Sequence, residues 1–259
     1  MFKDIYLMRV LAKMYVFVLV LAGFSAFAQN DLITEPTLLY RRRIQFGANL
    51  NSAELGGVNF KYQWQKTALQ KNGFEVELAR LRHPKEERVF SPISESPRKY
   101  TPGRVNMAFF LRTGYGQNAF ITDRIYKNSV SLHYNYSFGL TTVFLKPIYI
   151  DASVRSADNR EYVATEKYDP VVKHNNPAVI FGNASFTRGF DELSVRAGGH
   201  FKNSLSVEWG QYPEDYYSLE AGFVVDVFPR ELPLMSDQFA KNKNVFFTLF
   251  LGFTLGYNK

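Results

Sequence analysis

Read two residues at a time, the last stretch of the chain, VFFTLFLGFTLGYNK (245–259), puts Val245, Phe247, Leu249, Leu251, Phe253, Leu255 and Tyr257 on one face. Phe246, Thr248, Phe250, Gly252, Thr254, Gly256 and Asn258 fall on the other. Successive side chains alternate across a strand, so the pattern predicts one long strand with hydrocarbon on one side and a more polar interior on the other. The same period recurs upstream. Ile44, Phe46, Ala48 and Leu50 oppose Arg43, Gln45, Gly47 and Asn49, and Val58, Phe60, Tyr62 and Trp64 oppose Asn59, Lys61, Gln63 and Gln65. Phe74, Val76 and Leu78 alternate with Glu75 and Glu77. Residues 105–115 resume the pattern, and Val130, Leu132, Tyr134, Tyr136, Phe138 and Leu140 oppose Ser131, His133, Asn135, Ser137 and Gly139. Tyr217, Leu219, Ala221, Phe223, Val225 and Val227 form an apolar face against Ser218, Glu220 and Asp226.

The breaks between these segments set the organisation. Turns are predicted at 52–56, at Asn72-Gly73, at 188–192 and at 211–215. Segments 83–103 and 155–176, rich in proline, serine and charge, read as long loops, and 228–244 as a third link. Residues 142–154 are apolar at both parities and contain Pro147, which predicts an irregular strand. Residues 177–186 and 193–210 supply further strands, the latter as one long strand or a hairpin, and 119–127 is a candidate extra strand. The count is about ten, with eight and twelve both compatible; helical periodicity is absent beyond the first residues.

Composition decides which solvent the apolar faces meet. Lys3, Arg9 and Lys13 precede an apolar run that closes with Ala26-Phe27-Ala28 before Gln29, the pattern of a cleavable signal peptide over 1–28. Residues 29–40 then read as an N-terminal periplasmic extension and 41–259 as the folded unit. Cysteine is absent, so disulfides contribute nothing to an exported chain. Aromatic content is 16% while mean hydropathy is only -0.21, a combination expected when every second residue of a strand faces lipid. The apolar faces suit the nine to eleven residues that cross a bilayer at a tilt, and Trp64, Tyr62, Tyr217 and Tyr257 sit near their ends, as in an aromatic girdle. The prediction is an all-β chain forming a closed antiparallel transmembrane barrel. Its lipid-facing band contains Phe46, Phe60, Trp64, Val76, Phe109, Tyr134, Phe138, Phe223, Phe247, Leu251 and Phe253.

The terminal stretch resembles the closing strand of bacterial outer-membrane barrels, although Asn258 and Lys259 follow the last aromatic. Residues 219–235, LEAGFVVDVFPRELPLM, followed by a Lys-Asn-rich link, are similar to small barrels of the Bacteroidota outer membrane. These resemblances imply a place in the outer membrane, contact with its lipid, and recognition of the last strand by barrel-insertion machinery. Other outer-membrane proteins are candidate partners. The net charge of +7 suits anionic headgroups or an acidic partner, and export excludes nucleic acid.

Charged residues at inward parity form a candidate lumen network of Lys61, Glu75, Glu77, Arg196, His200, Glu208, Glu220 and Asp226. Such charges require pairing, whatever the function. On residues 194–208, Ser194, Arg196, His200, Lys202, Ser204, Ser206 and Glu208 share a parity and invite comparison with the Ser-His-Glu set of lipid A deacylases. Here, though, the serine is misplaced relative to His200, about 13 Å away along a strand. His83, His133, His174 and His200 lack metal-ligand spacing, so neither metal, cofactor nor catalytic residue is assigned. The reading is a non-enzymatic barrel acting as structural element or accessory subunit in export, biogenesis or uptake, with 228–244 and its Leu232, Leu234 and Met235 as a docking element or, alternatively, a loop tucked over the barrel mouth. A lipid-active enzyme would need a hydroxyl beside His133 or His200. A narrow channel would need a lumen not crossed by salt bridges.

Overall fold

The computed structural model describes residues 42–67, 69–83, 85–93, 98–122, 130–155, 160–209 and 215–259. The predicted signal peptide and N-terminal extension, with Arg41, lie outside the described residues. Eight long strands carry the alternation: β1 (Arg42–Asn51), β2 (Glu54–Thr67), β3 (Gln70–Leu81), β6 (Asn106–Thr122), β7 (Ser131–Pro147), β11 (Ser194–Trp209), β12 (Asp215–Leu232) and β13 (Lys243–Asn258). They close into an antiparallel barrel in the ring order β1-β13-β12-β11-β7-β6-β3-β2. The seam joins the first and last described strands: β1 pairs with β13 from Arg43↔Asn258 to Asn51↔Phe250. Arg42 and Lys259 extend it by exchanging two backbone hydrogen bonds of 2.8 Å.

Eight strands replace the expected ten because two apparent segments leave the wall. β7 ends at Pro147, which has no N–H to give a ladder. The chain then turns into β8 (Tyr149–Arg155), which pairs with β9 (Glu161–Lys167) and β10 (Ile180–Asn183) in a separate three-stranded sheet. The predicted loop 155–176 therefore contains a strand, β9. The predicted loop 83–103 holds a two-residue ladder, β4 (Val89–Phe90) with β5 (Lys99–Tyr100). Residues 194–209 form one strand rather than a hairpin, and 119–122 belongs to β6, while the rest of the candidate strand 119–127 lies outside the described residues.

Asn72-Gly73 is not a turn. Both residues lie inside β3, paired with Trp64 and Gln63, and β2 turns before Gln70. A Cβ on Gly73 would lie 2.3 Å from the Tyr62 carbonyl oxygen, so the glycine serves close strand approach rather than turn geometry.

Polarity is inverted relative to a soluble sheet. Outward positions such as Phe46, Leu50, Leu140 and Phe247 are 62%, 73%, 66% and 58% exposed, while Asn49, Asn59, Lys61, Thr141 and Thr254 are buried inside. Small inward residues make room for crossing side chains: a Cβ on Gly252 would lie 2.4 Å from Asn49 Oδ1. Phe246 and Phe250, the aromatics on the otherwise small inner face of β13, have distinct uses. Phe246 meets Phe110 and Phe228 ring to ring, and Phe250 lies 4.5 Å beneath the Lys202 ammonium.

The long excursions all leave from one end, between β3 and β6, β7 and β11, and β12 and β13. The lumen at that end is apolar: Leu81, Phe110, Val143, Leu145, Phe228, Leu232, Leu234 and Met235 form a buried cluster. The link after β12 is thus the tucked-in loop and not a free docking element, since the three apolar residues that were to dock are 1–3% exposed. Asn242 holds it in place by accepting the Leu234 and Met235 N–H groups and donating to the Met235 carbonyl. A second cluster, with Tyr100, Met107, Ile148, Ile150, Tyr168 and Ile180, joins the three-stranded sheet to the barrel's outer wall. Phe109 packs against this cluster and against Phe186, so its outward face is covered by protein and not by lipid.

Candidate functional site

Below the apolar plug, charged side chains from facing walls meet inside the barrel. Arg112 on β6 places Nη1 2.7 Å from Glu77 on β3 and grips Asp226 on β12 through Nη2 and Nε, at 2.7 and 3.1 Å. Lys202 on β11 reaches Glu75 at 2.5 Å and Glu77 at 2.7 Å. Lys61 on β2 lies 2.6 Å from Glu220 on β12 and 3.7 Å from Glu75, and Ser204 donates to the other Glu220 oxygen at 2.6 Å. Three cations thus face four carboxylates. In the ring order Lys61–Glu220, Lys202–Glu75 and Arg112–Asp226 each join strands three places apart, so they cross the lumen instead of running along its wall.

A second layer lies nearer the end where β1 begins and β13 finishes. Arg43 approaches Glu208 at 3.1 Å, donates from Nε to Asn258 Oδ1 at 2.7 Å and stacks 4.1 Å above the Tyr216 ring. His133 Nε2 is 3.0 Å from Glu208 Oε2. A cavity of about 30 Å³ remains in the central layer, beside Lys61, Glu75, Lys202 and Glu220, roughly the space of one water molecule. With salt bridges across it, the lumen does not meet the condition set for a channel.

Of the predicted lumen residues, Lys61, Glu75, Glu77, Glu220 and Asp226 come together in the central layer and Glu208 in the second. His200 adjoins the first, with Nδ1 3.1 Å from Thr141 Oγ1. Arg196 does not join them: it is exposed at the beginning of β11, where the strand runs clear of the charged layer, and shared parity alone did not place it inside. Arg112, Lys202, Arg43 and the buried Lys71 were not in the predicted network, although Arg43 and Lys202 lie on predicted polar faces. Arg112 had a legible signal, since extending the parity of Ala108 and Phe110 by two residues turns it inward, but the apolar residues of both parities around it hid the alternation.

The hydroxyl condition for an enzyme is met in distance twice and in chemistry neither time. Ser131 Oγ and Glu208 both approach the same nitrogen of His133, Nε2, while Nδ1 faces Asn118 at 3.0 Å. A triad needs the nucleophile and the orienting carboxylate on opposite nitrogens. Thr141 donates to Asp226 at 2.8 Å, so its proton is not committed to His200. Both histidines are buried in the lumen.

Outside, Phe46, Phe60, Phe247, Leu251 and Phe253 are exposed on the wall, with Val76 and Phe138. Trp64, Tyr134 and Phe223 share that outer face half-buried, because neighbouring rings cover them: Phe74 and Tyr115 flank Trp64, Tyr136 lies beside Tyr134, and Phe247 stacks on Phe223. A closed wall with apolar side chains outside and paired charges inside is stable only in hydrocarbon. This is a membrane-spanning barrel of the bacterial outer-membrane type.

No protein-family model matches the chain, and no curated protein matches it. Among solved structures it is similar to Neisserial surface protein A, at 8% identity over 85% of this chain and 97% of that one, with a TM-score of 0.39. It is also similar to the N-terminal β-barrel domain of Pseudomonas aeruginosa OprF, at 6% identity over 84% and 98%, TM-score 0.36. A third is Ail, the attachment invasion locus protein of Yersinia pestis, at 11% identity over 85% and 97%, TM-score 0.36. Likeness at this level carries no weight of its own; the assignment to the outer membrane rests on closure and polarity.

Proposed function

We propose that this outer-membrane barrel is a non-enzymatic scaffold that presents a recognition surface at its loop end, serving as an accessory subunit of a larger outer-membrane assembly. The observation that carries this reading is the β8–β9–β10 sheet. β9 is an edge strand exposed on both faces, with Tyr162 and Val163, on opposite sides, 53% and 56% exposed. Exposed edges of this kind accept an added strand from a partner. The blocked lumen favours a scaffold over a conduit, and the misdirected hydroxyls favour it over a lipid-active enzyme. Lipid would contact the outer band, and the insertion machinery would read β13. The affinity to Bacteroidota barrels rests on the sequence from residue 219 through the Lys-Asn-rich link to the last strand.

Photo-crosslinking residues placed at positions 162 and 163 test the reading in intact cells. The expected result is one discrete adduct with another envelope protein, lost when Tyr162→Asp and Val163→Lys are combined. The absence of adducts at both positions would remove the accessory role, and steady single-channel currents from the purified barrel in planar bilayers would install the channel reading in its place.

A further inference from the structure

The barrel holds a second charged site, outside the lumen. At the loop end, between the outer faces of β3, β6 and β7, the strand β5 and residues 183–186, a pocket of about 260 Å³ is lined by Arg80, Arg88, Lys99, Arg104 and Lys146, and among the described residues no carboxylate lines it. These cations belong to different parts of the chain, so the fold has gathered them. Arg104 is only 5% exposed; its Nη1 pairs with Glu86 at 3.1 Å, whereas its Nε and Nη2 are buried without an acceptor among the described residues. Arg80 likewise has a buried Nε with no acceptor among the described residues. Lys146 is 3% exposed, stands 5.2 Å from the ring centroids of Phe186 and Phe190, and has no carboxylate partner among the described residues.

Buried polar groups are nearly always satisfied, and exceptions commonly mark a missing ligand. Burial, only partly countered by Glu86, and repulsion from Arg80, Arg88 and Arg82 push the Arg104 guanidinium down to about 10, still cationic at neutral pH. An anion with several oxygens would satisfy two guanidinium forks and balance Lys146, a geometry that suits tetrahedral phosphoryl oxygens. The position adds a second argument. Val76 and Leu78 lie below Arg80 on the same outward face of β3 and are 40% and 48% exposed. The pocket therefore sits at the upper edge of the apolar band, the level of lipid headgroups.

We propose that this pocket binds a phosphoryl anion, carried by a lipid headgroup at that edge of the bilayer or supplied as free phosphate. The location in the membrane rests on the barrel assignment; the anion site itself does not depend on the scaffold reading. Native mass spectrometry of the full barrel in detergent, offered equal phosphatidic acid and phosphatidylcholine of matched acyl chains, tests the lipid source. Inorganic phosphate in a thermal-shift titration of the same sample tests the free one. If the lipid is the source, phosphatidic acid should be retained with a preference of about tenfold, the scale of a single strong charge-assisted contact. That preference should collapse in Arg80→Gln. The Arg88→Gln/Lys99→Gln pair, altered at exposed positions, should weaken it and decides the matter if Arg80→Gln does not fold. A phosphate-induced stabilisation lost in the same variants, without lipid preference, would support the site and assign it to the free anion. Equal retention of the two lipids together with no response to phosphate overturns the proposal, as does a preference unchanged in every folded variant.

Discussion

Arg112 shows how much one inward side chain carries. It is 2% exposed and binds two carboxylates from different strands, Glu77 and Asp226, so its removal leaves both charges buried with fewer partners. Arg112→Ala should destabilise the barrel by about 3–5 kcal/mol, the cost of breaking a buried pair from one side, measured by urea unfolding in lipid vesicles. Arg196→Ala, at the exposed beginning of β11, should change stability by no more than about 0.5 kcal/mol; equal losses in the two would show that parity, rather than position in the barrel, decides the role. A different residue contributes to pH response outside the membrane. Burial holds His174 below the usual imidazole range, against the pull of Glu166, and its Nδ1 accepts the Asp169 N–H at 3.1 Å. Because the folded state disfavours the proton, the contribution of His174 is complete above about pH 6.5, the unfolded value, and is lost as pH falls through the lowered folded value. Asp169 is held low by the Val172 and Val171 N–H groups, so its contribution survives to more acid conditions. Amide exchange in residues 168–174 should therefore be more protected at pH 7.5 than at pH 5 after correction for intrinsic rates, with the difference abolished in His174→Asn.

At the scale of elements, the strands that could be read directly were those with a single apolar face. β1, β2, β12 and β13 alternate cleanly because one side meets hydrocarbon and the other a polar lumen. Alternation fails where both sides meet protein. In β6 and β7 the inward Phe110, Val143 and Leu145 fill the apolar plug while Met107 and Phe109 pack against the outer sheet, so neither parity is polar. The three-stranded sheet was hidden for a related reason: β9 has no single apolar face, with exposed residues on both sides and charges at its two ends, and only its pairing with β8 makes it a strand. The same division predicts how substitutions behave along the chain. Leu251→Arg, on the outer face of β13, should cost about 2–4 kcal/mol if it lies near the bilayer midplane. Met235→Ala, in the link between β12 and β13, should cost about 2–5 kcal/mol by opening a cavity, although a surface loop would have tolerated it. Unfolding measurements in vesicles separate the two causes, since thinning the bilayer should relieve the first and leave the second unchanged.

For the whole molecule, alternation was enough to give closure and membrane placement, but not the strand number or the ring order on which the ion pairs depend. Lys61 and Glu220 are 159 residues apart and occupy strands three places apart around the ring, so nothing local in the sequence joins them. The two residues beyond Tyr257, which depart from an aromatic ending, gain their reason from closure. The barrel is sealed where its first and last strands meet. There Asn258 accepts from Arg43 at 2.7 Å, and the backbone of Lys259 pairs in both directions with Arg42. Deleting Asn258 and Lys259 removes the final rung of the seam and takes one acceptor from a buried guanidinium, leaving Glu208 and the Tyr216 ring as its neighbours. The loss should be about 1–3 kcal/mol, as expected when a buried donor loses an acceptor. It should appear as faster amide exchange confined to the terminal ends of β1 and β13, while the central layer around Arg112 stays protected. Asn258→Asp, which keeps an acceptor opposite Arg43, should recover most of that protection relative to Asn258→Ala. Equal exchange at the seam in the truncated and intact chains would mean that closure is held by the remaining rungs and that the last two residues contribute nothing to it.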